Sequence, residues 1–438
     1  MNIDEKYKMA NLAMEYALKK GADQVAVSIS DSRNSEIEIL NQKIDKLTES
    51  IRNTLSIDLY VEKKYSSHST SRLKREDLFR FIEEAIASTR YLAEDEFRLL
   101  PDPELYYKGG KPDLKVLDSD LDSIDAKTKI DLATSIHDEA YQKDKRIISV
   151  TSAYTDNISN MVKVTSNGFK GDSSRSYITA SVSVSVKDEN SRPSDYWYEN
   201  TIFLNKLNTN GIGKKALERT LVKLGSKKIP SGKYPVIIEN RVASSILGPL
   251  FNSLSGYSIY QKQSFLAGKE GKPVASPLLT FYDDPLIVSA AGSRAFDNEG
   301  LASVKRPVIE NGILKNFYID TYYGRKLKMN PTTGNTSNVI FNIGKRDLNS
   351  MLKDIKKGIF ITGFNGGNCN GTTGDFSYGI EGFYVVNGEI VHPVNEMNIT
   401  GNMNEFWFNL AEVGNDIMEN EATRVPSLMF NNIDFSGI

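Results

Sequence analysis

The chain has 438 residues, of which 39% are apolar and 25% are charged, and its formal net charge is −2. This length suggests two or three domains of a globular protein, and the near-neutral charge argues against a nucleic-acid-binding surface. The single cysteine, Cys369, excludes a disulfide within the chain and favours a reducing compartment. No segment approaches the roughly 18 apolar residues of a membrane span, and the N-terminus lacks the apolar core of a signal peptide. We therefore expect a cytoplasmic protein that contacts neither a membrane nor nucleic acid.

The first part of the chain predicts a helix, a set of strands and a second helix. Residues 3–20 carry apolar side chains at helical spacing, and Gly21 follows as a stop signal. Strand-like pieces, among them residues 25–29 and 36–40, continue to about Ser71, and an amphipathic helix is predicted over residues 76–93. We expect a first α+β domain over residues 1–105.

The same order of elements recurs after a segment rich in proline, glycine and aspartate at residues 101–120, which is typical of a linker. A helix is predicted over residues 124–144 and another over 213–224. Between them, residues 177–186 alternate apolar side chains with serine and threonine, which indicates a strand with one buried and one wet face. We expect a second α+β domain over residues 106–229. Our hypothesis is that it is a structural duplicate of the first domain, although the two share no repeat at the residue level.

The remaining residues, 230–438, predict a β-rich domain with at least one helix. A strand over 235–239 leads into a helix over 241–256 that contains Gly248-Pro249. The Asn-Gly pairs at 311–312 and 387–388 lie between apolar runs and predict two-residue hairpins of type I′. The predicted fold class is thus α+β, with two N-terminal helix–β-meander–helix units followed by a β-rich C-terminal domain.

Residues that could carry chemistry are few. The three histidines, His68, His137 and His392, lie far apart and form no pair one helical turn apart. We expect His68 to face solvent at a hairpin edge, His137 to lie on a helix face and His392 to lie at a strand end. The helix predicted over 241–256 has neither histidine nor carboxylate. It therefore lacks the two imidazoles and the glutamate that zinc hydrolysis needs on such a helix.

A glycine-rich segment at residues 363–375 contains Cys369. It has no lysine and no following helix, so it does not match a phosphate-binding loop. Two interpretations stay open, a loop that lines a cleft and a loop with a purely structural role. A nucleophilic Cys369 would need a base, for which His392 is the nearest histidine in sequence. The candidate substrate-cleft residues are Gly366, Gly367, Cys369, Thr373, Gly374 and Asp375.

Several short motifs of the C-terminal half together resemble the TldD/PmbA family. The resemblance runs from about Gly21 to the end and is densest after Tyr234. The motifs that carry it are Ser264-Phe-Leu266, Pro273-Val-Ala-Ser-Pro277, Asp283-Asp284, Phe296-Asp-Asn-Glu-Gly300, Gly374-Asp-Phe-Ser-Tyr-Gly-Ile-Glu-Gly-Phe-Tyr384, Val386-Asn-Gly-Glu-Ile390, Asn398-Ile-Thr-Gly-Asn402 and Val413-Gly-Asn-Asp416.

The resemblance implies peptidases that act on small or unfolded peptides and are also called modulators of DNA gyrase. The TldD-like branch carries His-Glu-x-x-x-His on the helix and a cysteine near the C-terminus as zinc ligands, whereas the PmbA (TldE)-like branch lacks them and pairs with a TldD-like subunit. The motif positions align near Leu247, Gly248 and Asn252, and no cysteine follows Asp416. We expect a dimer-forming, PmbA/TldE-like subunit with no catalytic or metal-binding residue of its own, and zinc in a TldD-like partner.

Two alternatives remain at this stage. One is an independent hydrolase that uses Cys369 or an unrecognised metal site. The other is a protein that binds peptides or a partner without doing chemistry.

Overall fold

The computed structural model of the chain describes residues 1–110, 113–189 and 191–437. Its first half contains four helices and six strands. The helices are α1 (Ile3–Lys19), α2 (Arg75–Thr89), α3 (Ala126–Asp138) and α4 (Ile212–Leu221). The strands are β1 (Gln24–Leu40), β2 (Lys43–Val61), β3 (Lys64–Thr70), β4 (Ile147–Thr165), β5 (Lys170–Val186) and β6 (Ser194–Thr201).

The two predicted N-terminal units share one antiparallel sheet. Its strand order is β3-β2-β1-β4-β5-β6, and β1 pairs with β4 from Ala26 to Leu40 at the centre. Each half supplies a helix, three strands and a helix, and each orders its strands outward from the central seam, as a structural duplicate would. The helix–strands–helix units are confirmed, while the boundary between residues 105 and 106 stays a prediction.

One face of this sheet is covered by helices, and residues of the other face contact the C-terminal half, as Tyr198 and Asn200 do through hydrogen bonds to Glu421. Ile178, Ala180, Val182 and Val184 of β5 are buried beneath α3 and α4. The residues between them are hydroxylic and partly exposed, so the predicted alternation over 177–186 is confirmed. The pieces predicted separately at 25–29 and 36–40 belong to the single strand β1, because its polar middle is paired on both sides.

The C-terminal half combines two sheets with short helices. The first strands and helices are β7 (Gly232–Ile238), α5 (Asn240–Ser253), α6 (Gly256–Tyr260), β8 (Phe281–Asp283), β9 (Arg306–Glu310), β10 (Ile313–Leu314), α7 (Thr321–Leu327), β11 (Val339–Phe341) and α8 (Leu348–Lys353). They are followed by β12 (Lys357–Cys369), β13 (Asp375–Val386), β14 (Glu389–Asn402), α9 (Met403–Phe406), β15 (Leu410–Val413), β16 (Thr423–Arg424) and β17 (Leu428–Ser436). Short 3₁₀ helices lie at Pro103–Leu105, Leu121–Ser123, Leu204–Lys206 and Trp407–Asn409.

The larger C-terminal sheet has the order β14-β13-β12-β7-β17-β15, and β14 also pairs with β17, which closes five of its strands into a ring. The smaller sheet has the order β10-β9-β8-β11-β16. A large apolar core joins both sheets to α5. Both predicted Asn-Gly hairpins are present, with φ of 51° and 75° at Asn311 and Gly312 and of 50° and 81° at Asn387 and Gly388.

No helix among the described residues is both long enough and apolar enough to cross a membrane.

Candidate functional site

Strand β12 has a free edge beside α5. On one side, its residues 363–369 pair with β13. On the other side, β7 pairs only with residues 359–361 and then turns into α5. Within the described ranges, no strand pairs with the outer edge of residues 363–369. We give the name β12 groove to this edge together with α5, which packs beside β12; among the described residues, the backbone donors and acceptors of the edge have no strand partner on that side.

The prediction of a loop over residues 363–375 is wrong for the first part of the segment, because residues 363–369 form a bulged strand. Gly367 has φ 127°, and a Cβ there would lie 2.2 Å from the Ser377 carbonyl oxygen. Gly366 has φ 124° but no atom within 4 Å of the same point. At these positions, glycine allows a close approach between strands and an unusual φ within a strand. A glycine-rich composition alone does not distinguish such a bulged strand from a loop.

The remaining residues of the segment form a tight connection. The Thr373 hydroxyl donates to Asp375 Oδ2 at 2.7 Å, and Asn402 Nδ2 donates to Asp375 Oδ1 at 2.7 Å. These side-chain hydrogen bonds, from Thr373 first and then Asn402, lower the pKa of Asp375. Gly374 has φ 87°. Thr373, Gly374 and Asp375 therefore hold the turn at one end of the β12 groove.

The three positions aligned with the zinc motif do not share a face of α5. Leu247 is fully buried in the core, whereas Gly248 is partly exposed and Asn252 is exposed. A catalytic zinc ion takes imidazole, thiolate or carboxylate ligands, so a buried leucine, a glycine and an amide do not fit it. Among residues 1–110, 113–189 and 191–437, no group of three histidine, cysteine, aspartate or glutamate residues is placed to hold a metal.

Cys369 is not activated and does not meet His392. It is half-buried, and burial followed by the charge of Asp375 raises the pKa of its thiol. Cys369 pairs with Phe376 of β13, whereas His392 pairs with Tyr384. These two β13 residues are eight positions apart, about 26 Å along a strand. The thiol and the imidazole thus lie at opposite ends of the sheet.

The other two histidines have local partners. His68 Nε2 lies 2.8 Å from the Ser66 hydroxyl. His137 is fully buried on α3, where its Nε2 accepts a hydrogen bond from the Gln42 backbone N–H at 3.3 Å. His137 lies on a helix as predicted, whereas His68, which was expected to face solvent, is partly buried.

A buried ionic cluster lies at the base of the β12 groove. Arg241, in the first turn of α5, donates from Nη2 to Asp195 Oδ1 and to the Thr362 carbonyl, both at 3.1 Å. Arg219 forms a two-pronged pair with Glu239 at 2.7 Å for each bond. Since Thr362 directly precedes the free edge of β12, Arg241 fixes that edge relative to α5.

The charges of this cluster compensate one another. Burial acts to raise the pKa of the Asp195 carboxyl, but the cations Lys223, Arg241 and Arg219 outweigh it, so the pKa lies below its ordinary value. Sequence analysis missed this cluster, because its members are scattered over β6, α4 and α5 and form no local motif.

Three family models cover most of the chain. They are described as PmbA/TldA metallopeptidase domain 1, matching residues 25–89, central domain, matching 119–224, and C-terminal domain, matching 231–437. The chain is also 29% identical to metalloprotease PmbA of Escherichia coli O157:H7 over 432 residues, which are 97% of this chain and 94% of that protein.

Solved structures agree with these matches. A Bacteroides thetaiotaomicron protein described as a candidate modulator of DNA gyrase is 44% identical, with a TM-score of 0.98 and 100% of both chains covered. TldE from Thermococcus kodakarensis shares the fold at a TM-score of 0.84 and 20% identity, covering 98% of this chain and 100% of that one. On these matches along almost its whole length, the chain belongs to the PmbA/TldD metallopeptidase family.

Proposed function

We propose that this chain is a PmbA/TldE-like subunit that holds an extended peptide in the β12 groove for a zinc-bearing TldD-like partner. The observation that carries the proposal is a free strand edge beside a helix face without metal ligands. Strand addition to such an edge uses backbone hydrogen bonds for affinity, and it needs no titrating side chain.

The exposed side of α5 is compatible with a broad substrate range. The exposed Ser244, Ser245 and Asn252 and the partly exposed Gly248 are all neutral and small. Because backbone groups carry most of the recognition, the peptide must be extended and unpaired rather than of one sequence. Small peptides and unfolded segments meet that requirement, whereas a folded domain already pairs its backbone groups.

Zinc in the partner would act as a Lewis acid and activate water. This chain contributes orientation of the peptide, exclusion of competing backbone contacts and a fixed spacing between β12 and α5. The cytoplasmic location and the absence of a nucleic-acid surface stay predictions.

A second candidate, peptide binding without any partner, rests on the same free edge. The third, an independent hydrolase using Cys369, is disfavoured by the distance along β13 and by the raised pKa of the thiol.

The test is to purify this chain alone and together with the TldD-like subunit of the same genome, then to measure bound zinc and cleavage of an unstructured fluorogenic peptide. We expect neither stoichiometric zinc nor cleavage with this chain alone, and cleavage by the mixture that exceeds cleavage by the partner alone. Zinc bound by this chain's own side chains would contradict the proposal. Cleavage by this chain alone that is lost in Cys369→Ala would establish the hydrolase instead.

A further inference from the structure

A cavity of about 370 Å³ lies where the N-terminal sheet meets the C-terminal half. One wall comes from β4, β5 and residues 114–116, and the other is the segment 293–298 between β8 and β9. This volume falls within the range of about 300–1,000 Å³ that is typical of small-molecule sites. None of residues 363–369 and none of α5 lines the cavity, so it is separate from the β12 groove.

Two arginines line this cavity, which we name the arginine cavity, one from each wall. Arg175 of β5 donates from Nη2 to the Ser293 carbonyl oxygen at 2.9 Å, and Ser293 directly precedes Arg294. Arg294 donates from Nη2 to the Asn335 carbonyl oxygen, whereas its Nε is buried and has no hydrogen-bond partner among the described residues. The cavity therefore brings two guanidinium groups together across the seam between the two halves.

No carboxylate pairs with either guanidinium within the described ranges. Arg175 is exposed as a whole residue, but protein atoms crowd its guanidinium. This desolvation, followed by the positive charge of Arg294, lowers the pKa of Arg175. Because like charges at close range repel each other, an anion between the two arginines would stabilise both.

The two carboxylates that line the arginine cavity have other partners. Asp172 lies on the opposite face of β5 from Arg175, since neighbouring residues of a strand alternate between faces, and it accepts from the Tyr7 hydroxyl at 2.8 Å. Asp297 is buried, and its Oδ1 accepts from two backbone N–H groups of the following turn, both at 2.9 Å. Burial raises the pKa of Asp297 by more than its hydrogen bonds and Arg294 lower it. Neither carboxylate therefore completes the arginine pair.

The rest of the lining is mostly apolar. Two serine hydroxyls lie beside Arg175 on β5, and the other lining side chains include an aromatic ring, a thioether and aliphatic groups. These residues are Ser173, Ser174, Phe296, Met161, Leu114, Val116 and Ala295. A ligand that fills the cavity would therefore have a charged end and an apolar body.

We propose that the arginine cavity binds a small organic anion, whose oxyanion group lies between Arg175 and Arg294 and whose apolar body packs against Phe296 and Met161. The planar fork of a guanidinium matches the oxygen atoms of a carboxylate or a phosphate. A carboxylic acid and a phosphate monoester share this chemistry, and the experiment distinguishes them. The inference does not rest on the proposed function, because the cavity and the β12 groove share no residue.

The test is isothermal titration calorimetry of the full chain with four probes, which are hexanoate, butyl phosphate, hexanamide and inorganic phosphate. We expect saturable binding of hexanoate or butyl phosphate. Hexanamide, which lacks the charge, and inorganic phosphate, which lacks the apolar body, should bind at least about tenfold more weakly. Tighter binding of hexanoate would assign a carboxylic acid to the cavity, and tighter binding of butyl phosphate a phosphate monoester.

A pair of matched variants separates the arginine cavity from general attraction of anions. Arg175→Gln should weaken binding of the preferred anion at least about tenfold, because it removes one of the two charged donors, while the unfolding temperature stays close to that of the unmodified chain. Arg72→Gln is the control, since Arg72 is exposed just before α2 and does not line the cavity. It should leave the affinity unchanged.

A third variant tests the same site without removing an arginine. Ser173 is exposed and lies on the same face of β5 as Arg175, two positions away. Ser173→Glu should therefore supply a carboxylate from the chain itself and abolish binding of the preferred anion.

Three results would overturn the inference. They are no saturable binding of either hexanoate or butyl phosphate, binding of hexanamide or inorganic phosphate as tight as that of the preferred anion, and an affinity that neither Arg175→Gln nor Ser173→Glu changes more than Arg72→Gln does.

Discussion

The inner and outer faces of α5 use opposite chemistry. At its first turn, the inward Arg241 is buried and bonded to Asp195 and to the Thr362 carbonyl. One and two turns further on, the outward positions Ser244 and Gly248 bear no charge. The one charged residue of this helix, Arg241, therefore serves to hold the second and third parts of the chain together. The surface that faces the β12 groove is left to backbone groups.

The largest effect on stability is expected when the buried charge of Arg241 is removed. Arg241→Met leaves buried Asp195 with fewer cations and should destabilise the fold by about 3–5 kcal/mol, because a buried ion pair that loses one partner leaves an uncompensated charge. Thermal unfolding measures the loss. The matched control is Lys127→Met, whose pair with Asp131 is exposed and should therefore contribute far less to stability. Equal shifts for both variants would show that the cluster does not hold α5 in place.

Two adjacent glycines, Gly366 and Gly367, test the structure of the free edge of β12. Gly367→Ala adds a Cβ 2.2 Å from the Ser377 carbonyl oxygen at φ 127°, whereas Gly366→Ala adds one into open space at φ 124°. Both substitutions strain the backbone, by about 1–3 kcal/mol, and only Gly367→Ala adds a collision with β13. Unfolding temperatures should therefore fall further for Gly367→Ala. The reverse order would mean that residues 363–369 are not the bulged strand described above.

Acid should weaken the inner cluster. The folded-state pKa of Asp195 lies below its ordinary value of 3.8. Its stabilising contribution is therefore fully present well above pH 4 and is lost as pH falls through the folded-state pKa. Burial raises the pKa of Asp283, Asp297 and Glu299, and these carboxyls act in the opposite direction.

The comparison with Asp195→Asn isolates the Asp195 contribution. Unfolding temperatures of the unmodified chain and of the variant, measured between pH 3 and pH 7, should differ most near neutrality and converge in acid. A constant difference across this range would show that the Asp195 carboxylate is not stabilised by its neighbours.

The smallest effect on stability is expected at Cys369, at the end of the β12 groove that lies away from Arg241. Cys369→Ala removes a half-buried thiol whose pKa is raised, so stability should change by about 1 kcal/mol or less. Peptide cleavage by the mixture with the TldD-like subunit should be unchanged. A loss of cleavage without loss of folding would restore Cys369 as a chemical group.

Local patterns predicted the elements of this fold better than their assembly. Hydrophobic periodicity identified α1 and α5, and the Asn-Gly pairs identified two hairpins, because each signal arises within a few residues. The pairing of β1 with β4 joins residues more than a hundred positions apart, and nothing local marks it.

The candidate site was predicted in part, for the same reason. The absence of zinc-binding side chains near Leu247 to Asn252 is a property of the sequence itself. The free edge of β12 depends on where β7 ends, and the Asp195–Arg241 contact depends on how two domains meet. Glycine at 363–367 also misled the prediction, because the same residue serves loops and bulged strands.

In the proposed function, the outer edge of residues 363–369 receives an extended peptide through backbone hydrogen bonds. Amide hydrogen exchange of this chain, with and without a saturating unstructured peptide, tests it most directly, and the same peptide N-methylated at alternate backbone positions is the control. We predict that exchange slows at residues 363–369 with the unmodified peptide and stays unchanged with the methylated one. Protection that falls elsewhere, or that is equal for both peptides, would contradict the account.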